Sequence, residues 1–284
     1  MIRSFPIRSA ITIGIIASAM AFGPPFRLAA AEEKTPTVDE IVHRANLVSY
    51  YQGRDGGARV AMTITDRQGR TRRRRLTILR RDVPESDSLK ENAYHGSQKF
   101  YVYFHRPADV SKMVFLVWKF LDRDDDRWLY LPALDLVKRI AATDKRTSFV
   151  GSDFLYEDIS GRSIYDDVHE LIETTSNFYV LKNTPKDPDS VEFAYYKMFI
   201  HKGTFLPVQS EYYDKSGKKY RLYKALKVEI IQGFPAVTQA SMENLNTGSK
   251  TVVRYSDVRF EIGLPENIFT ERFLRRAPMK YLRR

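Results

Sequence analysis

The alternation of apolar and polar positions divides the chain into one short helical segment followed by a long series of strands. Over residues 37–47 the apolar side chains recur at helical spacing, and Glu40 follows Thr37 by three residues, as in a capping box. From Ala58 onward the period changes to two, which is typical of β-strands. The pattern therefore predicts one amphipathic helix and then a mainly β domain.

Short turn sequences divide the β region into hairpins, because each combines Asp or Asn with a glycine between two alternating segments. These turns lie at 66–69, 214–217 and 246–248, and the strands after them are predicted over 70–81, 219–231 and 250–261. The C-terminal part of the chain is therefore expected to form an antiparallel meander.

Two strands near the middle of the chain, predicted over 99–104 and 114–120, carry apolar residues on both faces. In the first of them Phe100 and Val102 point one way, and Tyr101 and Tyr103 point the other way. An antiparallel sheet usually exposes one face to solvent, so two apolar faces must both be buried by other parts of the protein or by a ligand. A packed second layer and an internal apolar cavity both satisfy this requirement, and periodicity leaves the two open.

The N-terminal segment has the features of a secretory signal peptide. Arg3 and Arg8 precede an apolar run over 10–22, and three alanines at 29–31 supply a cleavage signal. We expect cleavage after Ala31, which leaves a single exported domain over 32–284; the alternative is an uncleaved N-terminal anchor.

Composition narrows the chemistry and the partners. The chain has no cysteine, which excludes disulfides, thiolate catalysis and a lipidated cysteine anchor. Removal of the three arginines in residues 1–31 lowers the formal charge from +11 to +8. An exported basic protein meets anionic lipid headgroups and acidic protein surfaces, so nucleic acid is not an expected partner.

Candidate catalytic and metal-binding patterns are weak. The five histidines have no metal-ligand spacing, and the GSD sequence at 151–153 is not a nucleophile elbow. We therefore expect neither an enzyme nor a cofactor nor a metal centre. Asp122, Asp124 and Asp126 begin a D-x-D-x-D pattern, but two arginines interrupt it and the glycine of a calcium loop is missing. An exposed acidic turn is expected there, and cation binding is left open.

Four consecutive arginines at 72–75 lie on a predicted strand, with two side chains on each face. One interpretation is a charged edge strand that blocks aggregation. The other is a basic strip that docks on phospholipid headgroups or on an acidic partner.

Several short motifs resemble the exported outer-membrane lipoprotein-sorting proteins, which are relatives of the periplasmic carrier LolA. The motifs are WLYLP at 128–132, KRI at 138–140, SFVGSDF at 148–154 and YED at 156–158. The likeness extends over most of the mature chain, including YVYF at 101–104.

The resemblance implies an unclosed, curved antiparallel β-barrel whose concave, apolar face is covered by helices. It further implies a monomeric periplasmic carrier that binds lipid or the acyl chains of lipoproteins and passes them toward the outer membrane. An inner-membrane transporter as donor and an outer-membrane acceptor are the implied protein partners. The alternative is a non-enzymatic lipid-sensing or accessory binding module for an envelope transporter.

Two sets of candidate site residues follow. The side chains expected to line the cavity are Phe100, Val102, Phe115, Val117, Trp128, Tyr130, Phe193 and Leu222. The segment after Ile140 is the expected gate or headgroup contact, and its candidates are Arg139, Arg146, Phe149, Asp153, Tyr156 and Asp158. Its charges are expected to lie outside the barrel, either as a movable closure or as a static ion-pair network.

Overall fold

The period-two segments form a single antiparallel sheet in the computed structural model, which describes residues 35–83 and 96–282. The strands are β1 (Asp55–Thr65), β2 (Thr71–Val83), β3 (Ser97–Arg106), β4 (Val114–Lys119), β5 (Asp126–Leu131), β6 (Leu136–Arg139), β7 (Asp167–Thr174), β8 (Phe178–Pro185), β9 (Phe193–His201), β10 (Pro207–Asp214), β11 (Lys219–Ile231), β12 (Phe234–Asn244) and β13 (Ser249–Phe260). The predicted signal peptide and its cleavage site lie outside the described residues, so this part of the domain division stays a prediction.

The sheet is curved and does not close into a barrel. Its strand order is β6-β5-β4-β3-β2-β1-β13-β12-β11-β10-β9-β8-β7, so β6 and β7 are the two free edges. Strands β1 to β6 follow one another to one edge of the sheet. The chain then crosses to the other edge, and β7 to β13 follow one another back until β13 pairs with β1. The predicted fold class, an unclosed antiparallel β-barrel, is confirmed.

The predicted helix is confirmed as α1 (Val38–Tyr50), which runs three residues beyond the expected end. Its capping box is formed: the Glu40 amide donates to Thr37 Oγ1 at 3.2 Å, and the Thr37 amide donates to Glu40 Oε2 at 2.7 Å. The buried side of the helix carries Ile41, Val42 and Ala45. These residues pack in one cluster with side chains of β8 and β9, so the helix covers that part of the concave face.

The predicted hairpin turns are also confirmed. Asp66 Oδ1 accepts the amides of Gln68 and Arg70 at 3.0 Å each, and Asp214 Oδ1 accepts the equivalent amides in the turn between β10 and β11. The glycines of both turns adopt a positive φ near +80°, a conformation that glycine tolerates without steric cost.

The two-faced central strands are covered on both sides. On the concave side Phe100, Val102 and Phe104 belong to the main apolar cluster, together with residues of the segment after β6. On the convex side Tyr101 and Tyr103 pack under the C-terminal segment. This segment contains α3 (Arg272–Arg275) and α4 (Met279–Leu282). Cover on both faces is thus achieved mainly by packed layers in this half of the sheet.

The run of arginines at 72–75 lies on β2, which pairs with β1 on one side and β3 on the other. The prediction that this run forms a free sheet edge is therefore wrong. Arg74 is buried and lies 3.4 Å from Asp109, whereas Arg73 and Arg75 are exposed on the convex face. The central position arises because β13 returns to pair with β1, a long-range event that local patterning does not reveal.

Candidate functional site

The concave face holds a cavity of about 420 Å³ between the sheet and α1. This volume is in the range of small-ligand sites in proteins. Val42 and Ala45 of α1 form its cover, Leu181 and Ile200 lie on its floor from β8 and β9, and Val237 lines it from β12. Most of the lining side chains from these elements are apolar because they face the helix rather than water, although polar residues such as Asn183 of β8 also line the cavity.

The buried charged side chains Arg146, Glu157 and Arg162 in the cavity wall are paired with opposite charges of the protein. Arg146 Nη1 donates to Glu157 Oε2 at 2.6 Å, and Arg162 Nη2 donates to Asp167 Oδ1 at 2.9 Å. Burial would raise the pKa of Glu157, but the cations Arg146, Arg162 and Lys145 outweigh it and hold that pKa below its usual value. The carboxylate is therefore ionised and neutralised by protein groups, so it offers little to a ligand.

The C-terminal end of α1 is fixed to β2 by a buried arginine. Arg80 donates to the Tyr50 carbonyl at 2.6 Å, to the Gln52 carbonyl at 2.8 Å and to Asp82 Oδ1 at 2.8 Å. Burial raises the pKa of Asp82 to about 6, although Arg80 and the side-chain amide of Gln98 oppose this rise. Arg80 thus satisfies carbonyls at the end of the helix that have no partner within it.

A glycine brings α1 and the segment after β6 together. Gly161 has a φ of +79°, and a Cβ built there would lie 2.3 Å from Tyr50 Cζ. Any other side chain would be strained by the backbone conformation and would displace the tyrosine ring. Tyr50 and Gly161 both line the cavity.

The cavity has an apolar rim along β11. Strand β10 pairs with β11 only as far as Lys224, and β11 continues beyond the start of β10. Beyond this point Val228 lies opposite Val237 and Ile230 lies opposite Pro235, and both partners line the cavity. Val228 is 40% exposed and Ile230 is 66% exposed. The apolar surface of the cavity therefore continues outward along β11.

Of the residues predicted to line the cavity, Phe100 is in its wall. Val102, Phe115 and Val117 point to the same side of the sheet but are packed in the main apolar cluster. The ring of Phe115 lies 5.4 Å from that of Phe149, which fills the space that a ligand would need.

The other four candidates lie elsewhere. Trp128 and Tyr130 point to the convex side, where they pack with the C-terminal segment. Phe193 belongs to a small cluster with Tyr196. Leu222 precedes Tyr223, which lines the cavity, so its side chain points to the other face of β11.

The candidates in the segment after Ile140 are held in place by partners within the protein. Phe149 and Tyr156 are buried with their ring centroids 5.5 Å apart. Asp153 accepts from the hydroxyl of Thr251 at 2.6 Å. Arg139 pairs with Asp126 and Asp158 pairs with Arg221.

The expectation that the charges of this segment lie outside the barrel is wrong for its central ion pair. The side chains of Arg146 and Glu157 are 9% and 3% exposed, respectively. Because each charge has an opposite charge within hydrogen-bonding distance, burial is tolerated. The segment therefore forms a buried ion-pair network in this structure, and whether that network opens stays a prediction. A second depression, of about 520 Å³, lies beside it and is lined by polar residues such as Ser148, Asp153 and Glu192.

The acidic turn after β4 is tied to arginines. Asp125 accepts from Arg127 at 2.6 Å, and Asp126 accepts from Arg123 at 3.0 Å. Across residues 35–83 and 96–282, no group of three or more His, Asp or Glu side chains is placed to hold a metal ion.

Sequence reasoning missed most of the cavity. Its cover residues Val42 and Ala45 were predicted only as the apolar side of a helix, and Met198 and Ile200 were not singled out. The apolar stripe of α1 was the available signal, since such a stripe must be buried against another element. It does not reveal which strands the helix covers.

An unclosed, curved sheet with a cavity under a helix is a LolA-like fold, and the comparisons with known proteins agree. A DUF1329 family protein from Desulfovibrio piger is 28% identical, with a TM-score of 0.74 over 84% of this chain and 100% of the other. A Vibrio parahaemolyticus domain, provisionally described as an outer membrane lipoprotein-sorting protein, is 27% identical, with a TM-score of 0.73 over 84% and 97% of the two chains.

A LolA superfamily protein from Nitrosomonas europaea shares the fold at 21% identity, with a TM-score of 0.63 over 84% of this chain and 100% of the other. A family model described as "Uncharacterized protein" matches residues 96–276, well over half of the chain. The chain belongs to this family, and the predicted resemblance to LolA-like lipoprotein-sorting proteins is confirmed. No curated protein matches the chain.

Among the described residues, none of the helices has the length and apolar character required to cross a bilayer.

Proposed function

We propose that this protein is a non-enzymatic, monomeric periplasmic carrier that holds acyl chains of a lipid or lipoprotein in its concave cavity and passes them toward the outer membrane. The observation that supports this most directly is the mainly apolar cavity under α1, whose buried charged wall groups Arg146, Glu157 and Arg162 are already paired within the protein. Such a cavity favours an apolar ligand and offers little to a polar one.

The energetics fit an acyl chain. Each methylene removed from water contributes about 0.8 kcal/mol, so about ten buried methylenes stabilise the complex by about 8 kcal/mol before the costs of binding. A headgroup cannot follow the chain into the cavity without unpairing a buried charge. We therefore place it at the rim, where Arg259 lines the opening and is itself exposed.

The relatives support the cargo class. One similar structure is described as a lipoprotein-sorting domain and another as a LolA superfamily protein. The N-terminal pattern of Arg3 and Arg8 followed by an apolar run supports export, which a periplasmic carrier requires.

The test uses two tryptophan variants of the same strand. Ala58 lines the cavity, whereas Ala61 is exposed on the convex face three residues further along β1. We expect Ala58→Trp to fill the cavity and weaken binding of a fluorescent fatty acid at least about tenfold. Ala61→Trp should bind like the natural protein. Equal affinities in the two variants, both folded by circular dichroism, would refute the cavity as the binding site.

A second function is favoured by the buried ion pairs in the segment after β6. A segment held by Arg146 and Glu157 at 2.6 Å is better suited to a rigid binding module than to a closure that opens in every cycle. In this case the protein would serve as a lipid-sensing or accessory module for an envelope transporter. Mass spectrometry of protein purified from its native periplasm separates the two: stoichiometric lipid supports the carrier, and an empty protein with one co-purifying membrane protein supports the module.

A further inference from the structure

We propose that the convex face of the sheet docks on an anionic phospholipid bilayer through a row of exposed cations that crosses six strands. This cationic row consists of Arg106 on β3, Arg75 on β2, Arg254 on β13 and Lys227 on β11. It lies on the face opposite the cavity, so the inference does not depend on what the cavity binds.

The strand register places these side chains in one line. Arg106 lies opposite Arg75, which lies opposite Ala61 of β1, and Ala61 in turn lies opposite Arg254. Arg254 then pairs in register with Gln239 of β12, and Gln239 with Lys227. Neighbouring strands are about 4.8 Å apart, so the row extends over roughly 24 Å.

A parallel row two residues away adds further charge. Arg73 lies opposite Thr63, and on the other side of β13 and β12 Lys224 occupies the corresponding position. These residues share the convex face with the cationic row because side chains two positions apart on a strand point the same way. The convex face therefore carries further cations beside the cationic row, interspersed with uncharged residues.

The charges of the cationic row are largely unbalanced within the protein. Arg75, Arg106 and Arg254 are exposed, and within the described part of the chain none of them has an ion pair. Lys227 pairs with Glu229 at 3.0 Å, but both side chains are mostly solvated. Like charges that face each other directly on adjacent strands are destabilising, so the Arg75 and Arg106 pair costs stability in the free protein. A negatively charged surface would remove this cost.

The surface is better suited to a bilayer than to an acidic protein. Protein interfaces depend on aromatic or aliphatic anchors that fill pockets. The residues between the cations are Ala61 and Gln239, and neither cavity of the described residues reaches them. A large apolar side chain next to the row, Leu226 beside Lys227, is 45% exposed. A surface dominated by distributed cations attracts anionic headgroups over a wide area.

The experiment measures sedimentation of the mature chain with vesicles of phosphatidylcholine alone or of phosphatidylcholine mixed with phosphatidylglycerol. We expect binding only to the vesicles that contain phosphatidylglycerol, and loss of this binding at high salt. The double variant Arg75→Glu with Arg254→Glu should bind at least about tenfold less. A matched double variant, Lys215→Glu with Lys218→Glu, has the same charge but changes a turn at the end of β10, and it should keep most of the binding.

Folding is monitored by the thermal midpoint. Arg75→Glu replaces a like-charge pair with an opposite-charge pair across from Arg106, so we expect the variant to be at least as stable as the natural protein. Loss of binding then cannot be attributed to unfolding. Equal binding to neutral vesicles, or equal losses in the two double variants, would overturn the proposal. Binding to polyglutamate without binding to vesicles would overturn it in favour of an acidic polypeptide.

Discussion

The concave face has two covers, and they are attached in different ways. One is α1, and the other is the segment over 141–163, which includes α2 (Tyr156–Ser160) and which we call the loop cover. The loop cover is held by buried ion pairs and packed aromatic rings. Helix α1 packs against the sheet mainly through apolar side chains. Apolar contacts have little directional requirement, so a helix held by them can move away and return more easily than a network of ion pairs.

Each part of the loop cover has a polar or aromatic attachment. Glu157 lies 2.6 Å from Arg146, 3.5 Å from Arg162 and 3.6 Å from Lys145. The buried ammonium group of Lys119 on β4 donates to the Ser160 carbonyl at 2.8 Å, which fixes the end of α2. Opening this cover would expose several paired charges at once, and breaking such pairs is costly.

The attachment of α1 is asymmetric along its length. Ile41 and Val42 near its start pack with Phe205 and other apolar residues, and the guanidinium of Arg44 lies 3.5 Å from the centre of the Phe205 ring. Its end is held by the hydrogen bonds from Arg80. If one of the two covers moves, we expect the start of α1 to lift from β8 and β9 while its end stays anchored.

The largest expected effect is in the loop cover. Glu157→Gln keeps the shape of the side chain but leaves Arg146 and Arg162 with one negative charge fewer between them. We expect a loss of about 3–5 kcal/mol in the free energy of unfolding, as for one partner of a buried ion pair. Urea denaturation of the purified protein measures it.

The matched control is Glu170→Gln on β7. Glu170 also pairs with a lysine, Lys182 at 3.4 Å, but its side chain is 54% exposed. Exposed pairs contribute about 1 kcal/mol or less, so this variant should unfold close to the natural protein. Similar losses in both variants would mean that the loop cover is not held by its buried charges.

A smaller effect is expected at the anchored end of α1 and depends on pH. Burial raises the pKa of Asp82 to about 6, above its usual value of 3.8. The folded protein therefore binds this proton more tightly than the unfolded chain. The resulting stabilisation is complete below about pH 3.8 and is lost as the pH rises through 6. It amounts to on the order of 2–3 kcal/mol.

The difference in unfolding free energy between the natural protein and Asp82→Asn isolates the contribution of Asp82 protonation from that of other titrating groups. We expect the difference to change between about pH 4 and pH 7 and to be flat above it. Asp66→Asn is the control, because desolvation would raise the pKa of Asp66 but the hydrogen bonds and charge of Arg70 outweigh this effect and hold the pKa below its usual value, out of this window. A flat difference curve for Asp82→Asn would show that Arg80 keeps this carboxylate ionised throughout.

The sequence predicts the helices, strands and turns of this fold better than it predicts which strands pair with each other. The helix, its capping box and the hairpin turns follow from local spacing, since each depends on residues at most a few positions apart. The central position of β2 does not, because it requires β13 to return and pair with β1 across almost the whole chain. For the same reason, one of the two interpretations of the four arginines at 72–75, a free sheet edge, is wrong, because β2 lies inside the sheet.

The site was harder to predict for a related reason. The alternation of side chains correctly places Val102 and Tyr101 on opposite faces of β3. It does not predict that Phe149 packs against one face and that the C-terminal segment covers the other. The cavity instead lies where α1 spans the sheet without filling the space beneath it. Whether a space is filled depends on side chains from distant segments, and periodicity carries no information on this point.

The smallest expected effect tests which cover moves. Thr37→Ala removes the cap at the start of α1, where Thr37 Oγ1 accepts the Glu40 amide at 3.2 Å, and should cost about 1 kcal/mol. Ser163→Ala removes a comparable cap at the end of the loop cover, where Ser163 Oγ accepts the Tyr165 amide at 3.2 Å. If the start of α1 is the moving part, Thr37→Ala should increase amide hydrogen exchange over the first turns of α1 and release a bound fatty acid about fivefold faster. Ser163→Ala should leave both rates unchanged, because the buried charges still hold the loop cover. Faster release in Ser163→Ala alone would instead identify the loop cover as the gate.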